Sequence, residues 1–174
     1  MNHTRTATVI TLAAAGLLLA GCSSSQPVAD GRPATAAQRP ANSSPVDAGS
    51  AFKAIAAKVS FAKFGSTVTA DTDSNHLLGR PGQYTSKVDF TDSRVKPGNT
   101  QGFKPGDVER GGSIETFAGA GDAATRAKYI QTVTKSIPAL AEYDYVHGAS
   151  VIRVSRFLTP TQAKDYDTAD AKLG

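Results

Sequence analysis

The chain has 174 residues, 40% of them hydrophobic, with 19 basic and 15 acidic residues and a formal net charge of +4. Positive and negative residues are interspersed, which describes a mildly basic surface rather than the clustered footprint of a nucleic-acid-binding protein; no nucleic acid is expected as a partner. Cys22 is the only cysteine, which excludes an internal disulfide and a cysteine-based structural zinc cluster.

Arg5 precedes an apolar run, residues 7–20, that is too short for a confident spanning helix and has the length of the hydrophobic region of a signal peptide. The run ends in Leu19-Ala20-Gly21-Cys22. This resembles the bacterial lipobox, in which a branched apolar residue and two small residues precede a cysteine that is lipidated and becomes the first residue after cleavage. The resemblance implies a signal peptide over 1–21, diacylglyceryl modification of Cys22, export, and anchoring to the outer face of the cell membrane. Each buried CH₂ contributes about 0.8 kcal/mol, so two or three chains on Cys22 would hold the protein stably. Loss of residues 1–21 removes Arg5 and no acid, leaving a side-chain charge of +3.

Residues 22–50 follow as a lipidated, disordered tether. Pro27, Pro33, Pro40 and Pro45 interrupt a segment with no aromatic residue, which has too little apolar surface to offset its ordering entropy. A flexible coil of this length spans about 30 Å. Residues 51–174 hold all seven Phe and all five Tyr and are expected to form a single domain.

In chain order, Ser50 caps a short helix carrying Phe52, Ile55, Ala56 and Val59 on one face. Residues 66–71 are β-prone. Residues 83–91 alternate, with Tyr84, Val88 and Phe90 inward and Thr85, Lys87 and Asp89 towards solvent. The two Lys-Pro-Gly-Asn/Asp turns at 96–99 and 104–107 mark one long loop from Asp92 to Gly112. A second strand is expected over 112–118. Asp122 caps the strongest helix, striped by Ala123, Ala127, Ile130, Thr134 and Ile137, with Arg126 outside the stripe, and Pro138 ends it. Residues 142–146 and 150–156 form a hairpin around His147-Gly148. Thr159-Pro160-Thr161-Gln162 has the capping-box pattern at the start of a last helix, with Ala163, Tyr166 and Leu173 as its apolar stripe.

This order predicts an α+β domain: a small, mostly antiparallel sheet with two to three helices packed on one face. A crossover from strand 112–118 through its helix to the next strand would make the sheet mixed. The blocks 76–94, 111–130 and 143–166 resemble those of small uncharacterised lipoproteins of actinobacteria, over most of residues 65–170. That resemblance implies no activity and no catalytic residues.

Reactive-looking side chains are densest in Asp71–Tyr84. Asp71, Asp73 and Asn75 match the first ligand positions of an EF-hand, but His76 stands where its glycine is needed and Gly82 where its bidentate acid is needed. A looser ligand site would use Asp71, Asp73, Asn75, His76 and Arg80; the competing reading is a turn-rich segment pinned by Leu77 and Leu78 that sets the start of the following strand. No metal or other cofactor is expected. His76 and His147, the histidines beyond the signal peptide, share no ligand spacing, and no nucleophile elbow or free thiol is present. The expected function is therefore that of a membrane-anchored envelope lipoprotein with a non-enzymatic binding domain, its partner an envelope protein or cell-wall component. A small-ligand or metal-binding module centred on 71–80 is the alternative, and an envelope hydrolase the third.

Overall fold

In this computed structural model, residues 46–171 are described. The signal peptide, the lipobox with Cys22, nearly all of the tether, and Leu173 lie outside the described residues.

The first helix, α1 (Ala48–Ala56), starts before the expected boundary at residue 51, and its cap is Asp47 rather than Ser50. The Asp47 carboxylate accepts hydrogen bonds from the Gly49 and Ser50 amides at 3.0 and 3.1 Å, and the Ser50 hydroxyl donates to the same carboxylate. An aspartate caps at least as well as a serine and carries a charge that the helix N-terminus favours. Strand β1 (Ala62–Thr67) lies earlier than expected; Val68 still donates to the Lys87 carbonyl, and the chain turns from Thr69 onwards. Strand β1 is followed by β2 (Ser86–Asp92), and the connection to β3 (Gly111–Thr116) turns at both Lys-Pro-Gly motifs, as expected; a 3₁₀ segment overlaps the first motif (Pro97–Thr100) and another follows the second (Val108–Arg110). In each motif the Asn99 or Asp107 amide bonds back to the lysine carbonyl, at 2.9 and 3.1 Å.

Helix α2 (Ala120–Ser136) begins with Gly119 in the cap position and Asp122 in its first turn, so Asp122 is not the cap. Pro138 ends it, and β4 (Glu142–His147) and β5 (Ser150–Ser155) form the expected hairpin, with Gly148 at φ +52° in the turn. Helix α3 (Pro160–Asp170) carries the capping box: the Gln162 amide donates to Thr159 Oγ1, and the Thr159 amide donates to Gln162 Oε1.

The five strands pair in the order β1-β2-β3-β5-β4, and every pairing is antiparallel. The β3–α2–β4 crossover exists, but β5 inserts between the strands it joins. The sheet is thereby antiparallel throughout, not mixed. Gly112 is required at the centre, because a Cβ there would collide with the Phe90 ring and the Arg153 carbonyl.

Alternation sorts the sheet into two unlike faces. One carries Val88, Phe90, Ile114, Ile152 and Val154, and two helices, α1 and α3, cover it with Phe52, Ile55 and Tyr166. The Phe90 and Tyr166 rings stack with centroids 5.1 Å apart. Tyr143 and Tyr145 pack against the same core. Helix α2 lies on the opposite face, where Ala123 and Ala127 meet Tyr84, Phe117 and Val151, with Leu77 and Leu78 alongside. Among the described residues, no helix is long and apolar enough to cross a membrane.

Candidate functional site

The second sheet face is built from charged side chains. Lys87 and Asp89 on β2 were expected to face solvent, but both are buried, because α2 and the loops around residues 74 and 106 cover this face. Cross-strand register sets Lys87 opposite Glu115, and Arg153 opposite both Ser113 and Asp144. From above, α2 contributes Arg126, which is buried rather than outside the apolar stripe; Ile137, expected within that stripe, is exposed.

These groups form a closed network. Glu115 accepts from Arg126 Nε and Nη2 at 2.8 and 3.2 Å, and from Arg153 Nη1 at 3.3 Å. Glu142 takes the other side of the same guanidinium, from Nε at 2.7 Å and Nη2 at 2.8 Å. Burial alone would raise the Glu115 carboxyl; the arginines outweigh it and hold the group below the usual carboxylate range. Asp144, two residues from Glu142 on the same strand face, moves the other way. Its burial, reinforced by the Glu142 carboxylate, pushes it well up.

A cleft of about 280 Å³ opens beside this network. The sheet side of the cleft carries Lys87, Arg153 and Glu142, α2 adds Arg126, and Glu109 also lines it. Tyr129 and Leu140, 62% and 45% exposed, form an apolar rim. An adjoining hollow of about 230 Å³ shares Lys87, Ser74 and Gly106 with it.

The residues singled out in the 71–80 segment do not converge on a ligand site of their own. Asp73 is buried, and its carboxylate accepts from the Asn75, Leu77 and Leu78 amides at 3.2, 2.8 and 2.9 Å and from the Tyr84 hydroxyl at 2.6 and 2.7 Å. That carboxylate is fully engaged in holding its own turn. Asp71, His76 and Arg80 are exposed, and His76 takes a left-handed φ of +52° that closes the turn. Asn75 alone of the five lines the cleft. His147, expected in the hairpin turn, ends β4 and meets Asp167 Oδ1 of α3 at 2.7 Å. Among the described residues, no group of three or more His, Cys, Asp or Glu side chains gathers to hold a metal ion.

The cleft residues are not legible strand by strand, because they come from different elements. The legible signal was charge at every second position, Lys87 and Asp89, then Glu142 and Asp144, on strands whose other positions were apolar or aromatic. Only the covering by α2 turns that signal from a solvated face into a site.

Comparison with known protein families, curated proteins and solved structures found no match to this chain.

Proposed function

We propose that this chain is an exported envelope lipoprotein, held to the membrane by lipid on Cys22, whose α+β domain is a non-enzymatic binding module for an envelope protein or cell-wall component. The cleft under α2 is its binding surface. The observation that carries this reading is the pairing of a charged, hydrogen-bonded floor with an exposed apolar rim at Tyr129 and Leu140, the composition of a recognition site. The network of Glu115, Arg126, Arg153 and Glu142 is committed to holding its own geometry, which suits it to rigid recognition rather than proton or group transfer. The alternative centred on residues 71–80 is weakened by the saturation of Asp73, which leaves no free carboxylate at its centre.

Two measurements test this reading. Cys22→Ala is expected to abolish lipid labelling and release the protein from the membrane fraction; retention equal to wild type would overturn the anchor. A photocrosslinking residue at position 129, in the native envelope, is expected to give adducts that the same residue at exposed Lys53 on α1 does not. Equal patterns from the two positions would overturn the cleft as the binding surface.

A further inference from the structure

One charge on the cleft floor is left over by the network. The Lys87 side chain is 8% exposed, and the carboxylate oxygen paired with it, Asp89 Oδ1, stands 3.8 Å away, beyond hydrogen-bond distance. Among the described residues its ammonium makes no hydrogen bond, and Asp89 Oδ1 is itself buried without a partner. Burial pushes the Asp89 carboxyl up against the pull of Lys87. Glu115, the other counter-charge facing Lys87 from β3, is already taken by Arg126 and Arg153, and the Tyr84 ring centroid lies 5.8 Å from the ammonium without accepting a hydrogen bond from it. A buried ammonium with unused donors is costly unless something supplies acceptors. Lys87 lines both the main cleft and the adjoining hollow, so its donors open onto space a ligand can enter.

The surroundings define the ligand. Arg126 lines the cleft and bonds Glu115 through Nε and Nη2, so its Nη1 donors are not used by that pair, and Ser74 lines both hollows. Asp107 also lines both, but its Oδ2 is occupied by the Lys104 amide at 2.6 Å. With Asp89 and Glu109 nearby, a single negative charge is accommodated better than a double one. Besides Lys87, the cleft is lined along α2 by Tyr129, Ile130 and Val133, and beyond the end of α2 by Leu140.

We infer that Lys87 and Arg126 form the anion anchor of a subsite for a small carboxylate with an apolar or aromatic body, which lies along the Tyr129–Leu140 rim. This rests on the cleft being the binding surface, and it names the chemistry that surface recognises.

The test is an NMR titration of the full chain with benzoate, acetate, inorganic phosphate and neutral benzyl alcohol at constant ionic strength. Benzoate is expected to shift the Lys87 and Gly106 amides and the Tyr129 ring saturably, and to bind about tenfold more tightly than acetate, phosphate or benzyl alcohol. Lys87→Gln should weaken benzoate binding about tenfold, while Lys87→Arg stays within about threefold of wild type. Benzyl alcohol binding as well as benzoate would overturn the proposal without recourse to any variant, as would Lys87→Gln binding benzoate like the wild type. Phosphate outbinding benzoate would overturn the carboxylate assignment. Crosslinks from position 129 without benzoate binding would remove this subsite and leave the binding module standing; benzoate binding without such crosslinks would do the reverse.

Discussion

Asp73 is the residue on which the 71–84 segment depends. Its carboxylate gathers three backbone amides and the buried Tyr84 hydroxyl, so replacing it leaves several donors unsatisfied at once. Asp73→Asn is expected to cost about 2–4 kcal/mol at pH 7, read by urea denaturation. Burial pulls the Asp73 carboxyl upward, but hydrogen bonds from Tyr84, Leu78, Leu77 and Asn75 outweigh it and hold it below the ordinary value of 3.8. The stability it contributes is present above 3.8 and is lost as pH falls through its lower folded value, so the difference between wild type and Asp73→Asn should shrink in acid. Asp170 has the opposite sign. It is buried on α3, its Oδ2 has no partner among the described residues, and burial raises it to about 6. The folded state holds that proton where the unfolded state has released it, so stability falls between about pH 4 and 6 and stays reduced above. Asp170→Asn is expected to be more stable than wild type by about 1–3 kcal/mol at pH 7 and nearly equal to it at pH 3.5. Equal stability at both values would remove the penalty assigned to Asp170.

At the scale of elements, the two sheet faces are held by different forces. Under α1 and α3 the contacts are apolar and aromatic, and non-directional burial supplies the attraction. Under α2 the helix is fixed over β3 and β5 by the Glu115 network as well as by the small Tyr84–Phe117 cluster. A buried pair stabilises little relative to apolar residues of the same shape, but removing one partner strands the other. Glu115→Gln is therefore expected to cost about 3–5 kcal/mol, and the Glu115→Leu/Arg126→Leu double variant less than the sum of its two single changes. Additive losses in chemical denaturation would show that the two side chains are not coupled.

At the scale of the molecule, the question is where the fold starts, and α1 with its Asp47 cap gives the answer. Deleting residues 26–46 leaves the Asp47 cap and buried Ala48 in place, and is expected to move the melting temperature by less than about 2 °C. Extending the deletion through Gly49 removes the cap and the first buried alanine, and should lower it by about 5 °C. A large loss from the shorter deletion would mean that the segment before Asp47 belongs to the fold.

What the sequence determined by itself was local. The Thr159–Gln162 capping box, the two Lys-Pro-Gly turns, the 142–155 hairpin and the end of α2 at Pro138 each depend on residues within one turn or one pair of neighbouring strands. The proposed lipid anchor likewise rests on contiguous residues, Leu19–Cys22. The candidate site was not legible in this way, because Lys87, Glu115, Arg126, Glu142 and Arg153 come from five different elements. Lys87 and Asp89 read as a solvent face until α2 and two loops are laid over them. Tertiary structure alone decided which charges lost their water. That decision made the polar face of the sheet the floor of a cleft, and left Lys87 within it without an acceptor.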